Sequence, residues 1–267
     1  MDEQVPNPES QTPPQPEEEL SHTDKMTGIF TEPSETFGKI AKFPVRTIDW
    51  LLPVLILFLI VALTRILVMS NEEIAFQERQ KQEKQVNELV EKGVLTQEQA
   101  ETQIERTRQF SNSPVAYIIM TFSILIGGFI VFFLIVLIYF LLSKFALKGN
   151  GGYTSALVAN GLPAYITIIQ IVIAAILSLA FERLINDVSV ASLANMDKST
   201  IAGWFFGKID PISIWVYSVL SIGLAKMFRS DSIKKYFIMV FSIWILGSLL
   251  IWLIGKAVPF LSFLSEM

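Results

Sequence analysis

Between Gln109 and Ser143 the chain carries no charged residue, and most of the stretch is Ile, Leu, Val and Phe. At a helical rise of about 1.5 Å per residue, it is longer than the ~20 residues needed to cross a bilayer core. A soluble domain has no use for such a segment, so the other apolar runs must be read as its partners in a membrane. With 52% hydrophobic and 17% charged residues, the chain falls well below the roughly 25% charge of soluble domains. What charge there is collects in an N-terminal tail and in one long loop.

Five spans follow from this reading. The first runs from about Ile48 to Met69. Asp49 and Pro53 stand near its start, where a carboxylate can stay wet and a missing N–H costs little. Arg65 near its far end can snorkel to the interface. The second covers about Pro114 to Leu142, with Tyr117 and Tyr139 suited to the two interfaces. The third lies within Gly149 to Phe181, and Pro163 should kink or break it. Around that break, Asn160, Gly161, Pro163 and Gln170 are candidate positions for close helix packing or for a ligand. The fourth starts at Asp210-Pro211, a cap followed by proline at the first helical position, and ends near Phe228. The fifth runs from about Tyr236 to Gly255. Before the fourth span, the apolar and aromatic run Ile201 to Gly207 is too short to span and belongs at an interface.

The expected architecture is all-α: a polytopic membrane protein, a five-helix bundle with an extramembrane helical hairpin between the first two spans. The membrane domain comprises residues 47–69 and 113–263. Residues 70–112 form the hairpin, with one arm over Asn71 to Lys92, a stop at Gly93, and a capping box of Thr96 with Gln99 opening the second arm. Its apolar stripe is thin (Val86, Leu89 and Val90 against Ala100 and Ile104), so the arms can touch but stay mostly wet. Glu88 and Lys92 are an i,i+4 pair on the first arm.

Residues 1–26 are rich in Pro, Gln, Ser and Glu and are expected to be disordered, because they cannot bury enough apolar surface to offset chain entropy. Residues 27–46 read as an amphipathic helix lying on the membrane. Pro33 stands in its first turn, Phe37, Ile40 and Ala41 form its apolar face, and Lys39, Lys42 and Arg46 are candidate lipid headgroup contacts. Basic residues of the short loops (Lys144, Lys148, Lys226, Arg229, Lys234 and Lys235) would share a side with the N-terminus. The positive-inside rule then places that terminus in the cytoplasm and the C-terminus on the opposite side.

Composition also bounds the chemistry. The net charge of −4 leaves no basic stripe for nucleic acid, and the absence of cysteine removes disulfides and thiolate chemistry. The single histidine, His22, falls in the tail, which argues against a His-based metal site or general base. No His-Glu-x-x-His, Gly-x-Ser-x-Gly or paired intramembrane carboxylates occur, so no enzyme activity and no cofactor is expected. Two function classes stay open. One is a scaffold or adaptor that meets other membrane proteins, a soluble protein or lipids through the hairpin or the tail, and it allows a homo-oligomer. The other is a permease or channel component with a path near the Pro163 break.

Several stretches resemble the Yip family of integral membrane proteins. They are Glu32-Pro33-Ser34-Glu35-Thr36-Phe37 before the first span, Gly151-Gly152-Tyr153 through Leu162-Pro163, and Asp210-Pro211 with Trp215. The order of the five spans is similar as well, and the likeness covers about Gly28 to Phe263. The resemblance implies a cytosolic N-terminus, a five-helix bundle, no catalytic residues, and action by partner binding in vesicle traffic or membrane organisation. The chain lacks the Asp-Leu-Tyr-Gly-Pro-type motif of eukaryotic members and adds the charged hairpin. These departures imply a prokaryotic relative in a bacterial inner membrane.

Overall fold

The computed structural model describes residues 18–111, 114–258 and 261, and the described elements are all helical. In chain order they are α1 (His22–Thr31), α2 (Pro33–Ile40), α3 (Ile48–Met69), α4 (Glu72–Glu91), α5 (Gln97–Ser111) and α6 (Pro114–Leu141). These are followed by α7 (Tyr153–Gly161), α8 (Ala164–Ala180), α9 (Val190–Leu193), α10 (Ile201–Gly207), α11 (Pro211–Met227), α12 (Ile233–Ser242) and α13 (Ser248–Ala257). A π-helical turn, Leu142–Ala146, extends α6, and another, Ile243–Gly247, joins α12 to α13.

Four helical stretches are long and apolar enough to cross a membrane: Ile48–Met69, Val115–Ala146, Tyr153–Ala180 and Ile233–Ala257. The count reaches five if α10 and α11, bent by 60° at the Asp210-Pro211 break, are taken together as one broken span; α11, expected to span alone, does not reach the length of the other four. Asp210 caps α11 as expected, its Oδ1 accepting from the amides of Ile212 and Ser213 at 2.9 and 3.0 Å. The Pro163 break is also present, but α7 and α8 continue as one 28-residue span. The missing proline N–H is accommodated by tighter bonds, Tyr165 to Leu162 and Ile166 to Pro163 at 3.2 and 2.9 Å.

The buried core lies where α2, α6, α7, α11 and α12 meet, around Phe37, Val136, Val158, Leu224, Phe228 and Tyr236. Outside it, large side chains face outward along whole helices: Leu59, Leu63 and Leu67 on α3, and Phe122, Ile126, Ile130 and Leu134 on α6. In water these exposed rows would be a severe liability; in lipid they are solvated. Tyr139 departs from its expected interfacial place: it is buried in the core among neighbouring helices.

The hairpin arms are α4 and α5, with Gly93 at φ +70 between them. The Thr96–Gln99 capping box forms in both directions at 2.9 and 3.2 Å. Arg108 ties the arms together through Glu83 at 2.8 Å. The root of the hairpin is anchored: Ile74 is fully buried against Val68 and Ala175. Arg65 reaches Glu78 at 3.9 Å, so it serves the hairpin, where a lone snorkelling cation was expected.

Candidate functional site

The N-terminal segment differs most from the sequence expectation. The disorder expected through Met26 is overturned where the chain is described: Ser21 caps α1, which starts at His22, and the rest of that expectation, residues 1–17, lies outside the described residues. A capping box starts α1, with the Ser21 hydroxyl accepting from the Asp24 amide and Asp24 accepting from the Ser21 amide, both at 3.1 Å. Phe37 and Ile40, the face assigned to lipid, are buried against the protein itself, and the Phe37 ring lies where a Cβ on Gly223 of α11 would sit. Burying a large aromatic against its own bundle removes about the same apolar area from water as insertion into lipid. The amphipathic pattern alone is therefore silent on which of the two occurs.

Docking α1 assembles a charged cluster at the start of α3. Lys25 is 2% exposed and Asp49 1%. The Lys25 ammonium donates to Asp49 Oδ2 at 2.8 Å and lies 3.5 Å from a Glu19 carboxylate oxygen. Arg46 closes on the other oxygen of Glu19. On the opposite side, His22 Nε2 and the Tyr165 hydroxyl are 2.8 Å apart. His22 Nδ1 faces Asp49 Oδ1 at 3.6 Å, and both of these buried atoms lack a hydrogen-bond partner. Asp49 is thus buried and ion-paired instead of wet. The cluster links the segment before α1 to α3 and α8, and its chemistry is that of a latch, each carboxylate facing a cation.

The residues singled out around the third span separate into two groups. Gln170 bridges helices: its amide donates to Asp210 Oδ2 at 2.6 Å and to the Ser213 hydroxyl at 3.0 Å, joining α8 to the α11 cap. Gly161 is a close-approach position, since a Cβ there would stand 2.7 Å from Trp50 Cα on α3. Asn160 makes no crossing bond; it donates to Ala156 O one turn back at 2.8 Å. Together with Pro163 and Thr167 it lines a cavity of about 240 Å³, whose other walls include Phe58 and Phe132. Of the expected headgroup contacts, Lys39 pairs with Glu35 at 2.7 Å and Arg46 with Glu19.

At the hairpin end, Asp187 organises the loop after α8. It accepts from the Ser189 amide at 3.0 Å, the Ser192 hydroxyl at 2.6 Å and Lys198 at 2.5 Å. Burial pushes this carboxyl up, but the hydrogen bonds from Lys198, Ser189 and Ser192 together outweigh it and hold the group below the usual carboxylate range. A depressed folded value means that the group stabilises the loop above its unfolded value of about 3.9 and that this is lost as pH falls through the folded value. Hydrogen exchange at Ser189 and Ser192, corrected for intrinsic rates, should stay flat down to about pH 4 and accelerate below it. In Asp187→Asn that acid step should vanish. A step of the same size in the variant would assign it to another group.

Exposed apolar helices around a small buried core, with charge confined to the two ends, define a polytopic helical membrane protein. The Yip1 domain family matches residues 27–254, and the chain belongs to that family. No curated protein and no solved structure shows significant similarity to it. The family match begins after His22 and Lys25, so half of the latch lies outside the matched region. Sequence reasoning missed Lys25 because the proline-rich composition was carried too far. The available signal was Ser21-x-x-Asp24, a start for a helix ahead of Ile29.

Proposed function

We propose that this Yip1-domain protein is a non-catalytic membrane scaffold or adaptor, acting through protein–protein and protein–lipid contacts in membrane organisation or trafficking. The observation that carries this reading is the way the hairpin is held. Its root is fixed by Ile74 and by the Arg65–Glu78 pair, and the Gln77 side chain donates to Glu182 O at 3.2 Å. Its remaining length is largely polar and exposed, with Val94 exposed at the tip. A rigidly mounted polar hairpin is more than a connection between two spans requires. It offers a surface to a soluble protein or to the outer parts of other membrane proteins, a second copy included. The N-terminus is assigned to the cytoplasm of a bacterial inner membrane and the C-terminus to the opposite side, on the distribution of short-loop cations. Lys39, Lys42 and Arg46 are the proposed headgroup contacts.

A photo-crosslinking side chain at Val94 in native membranes tests the adaptor reading. Discrete protein adducts are expected there and not from the same group at Leu63, a lipid-facing position on α3. Failure to form any protein adduct from the hairpin would reject it.

The cavity beside Asn160 supports a second reading, a permease or channel component. Its walls are apolar apart from Asn160 and Thr167, which suits a hydrophobic solute better than an ion. Flux in reconstituted vesicles that falls in Asn160→Leu would favour it; no flux from the wild type would eliminate it.

A further inference from the structure

The hairpin stands over the loop that follows α8, and a cavity of about 510 Å³ opens between them. Lys81 and Lys84 on α4 and Lys92 at its C-cap line it from the hairpin, while Arg183, Lys198 and Lys256 line it from the loop and the end of α13. Against these six cations the lining holds two carboxylates, Glu88 and Asp197. Three segments far apart in sequence therefore bring like charge to one space, although the chain as a whole is acidic at −4.

The cations are not equivalent. Lys92 is partly offset by Glu88 at 3.7 Å, and Lys198 by Asp187. The Arg183 guanidinium is held from behind, donating to Asn195 Oδ1 and to Leu193 O, both at 2.8 Å. These bonds use one N–H of each terminal nitrogen, and the other guanidinium donors have no hydrogen-bond partner among the described residues. Asn195 itself adopts the left-handed region at φ 52, so the loop holds an uncommon backbone conformation at the wall of the cavity. Lys256 lies over the Trp252 ring at 5.7 Å, and the Trp252 indole donates to Lys198 O at 3.2 Å, which fixes the end of the last span to the loop. Lys84 has no ion-pair partner among the described residues.

We propose that this cavity binds a phosphate-bearing anion, held by the Arg183 fork and by lysines from the hairpin. Clustered like charges repel, and an anion between them converts that repulsion into attraction. An oriented guanidinium with ammonium groups around it is the donor set that matches phosphate oxygens. Arg183 follows closely on α8 and Lys256 stands in the last turn of α13, both at the ends of membrane-crossing helices, whereas Lys81 and Lys84 are on the hairpin. A phospholipid headgroup entering from the membrane side and a soluble phosphate compound entering from water would thus meet the same donors. Binding would clamp the hairpin to the loop. The site is independent of the adaptor reading, because it requires no protein partner.

The test uses the full chain and reads melting temperature together with hydrogen exchange over residues 80–92 and 183–199. One arm adds inorganic pyrophosphate in detergent against sodium chloride at equal ionic strength. The other compares nanodiscs containing phosphatidylglycerol with nanodiscs of phosphatidylcholine alone. Stabilisation of both segments in either arm supports the site: pyrophosphate alone identifies a soluble ligand, phosphatidylglycerol alone a headgroup. Lys84→Glu, on the hairpin and away from the buried core, should weaken the response at least fivefold, and Arg183→Lys should weaken it through loss of the fork. No response in either arm, or an undiminished response in Lys84→Glu, would overturn the proposal.

Discussion

Lys25→Met is expected to cost roughly 3–5 kcal/mol, because it leaves Asp49 as a buried carboxylate without its cation. The nearest alternative donor, His22 Nδ1, is 3.6 Å from the other Asp49 oxygen, and the Arg46 cation is engaged with Glu19. The loss should fall on the docking of α1 and α2, since Lys25 is their ionic link to α3. Limited proteolysis in detergent should then cut the variant between Lys39 and Arg46 far faster than the wild type, alongside a lower melting temperature. The double variant Lys25→Met/Asp49→Leu provides the control. Replacing both members of a buried pair by apolar residues of similar volume is often neutral or stabilising, so most of the stability should return. A Lys25→Met protein that melts and is cleaved like the wild type would show that the pair is not what holds the N-terminal helices.

A second large effect is expected at the crossing of α3 and α7. Gly161→Leu should destabilise by about 3 kcal/mol, the upper end for overpacking. The obstacle is Trp50 backbone at 2.7 Å, with no flexible side-chain tip that could swing aside. Moving α3 away would also disturb Trp50, whose ring stacks on Phe132 at 6.0 Å between centroids. Gly127→Leu makes the comparison internal. That glycine, on α6, has nothing within 4 Å of its would-be Cβ, so the added side chain meets lipid and should be close to neutral. Melting temperatures of the two variants in the same detergent decide the matter: equal values would mean that the crossing is looser than the geometry implies.

The features legible in advance were those encoded within one segment. Asp210-Pro211 reads as a helix start from two adjacent residues, and its cap forms as read. Gly93 and the Thr96–Gln99 box mark the hairpin turn for the same reason. Gln170 was recognisable as a residue in need of a polar partner, although nothing local says that the partner is Asp210. Asn160 looked equivalent and is not, because the backbone carbonyl of Ala156 one turn away satisfies it first. The apolar face of α2 was visible, but amphipathic periodicity measures only what must leave water. Whether that face goes to lipid or to Gly223 depends on an α11 surface nearly 200 residues downstream.

The chain by itself determined that these helices belong in lipid, since a charge-free run longer than a bilayer satisfies its own backbone and needs no partner to declare its environment. It likewise determined where helices start, break and turn, since caps, prolines and glycines act over a few residues. Only the tertiary structure decided which charges meet. Lys25 with Asp49, Arg65 with Glu78, and the cations that ring the hairpin cavity all come from segments separated along the chain. The energy of an ion pair depends on separation and burial, and neither quantity exists until the helices have packed.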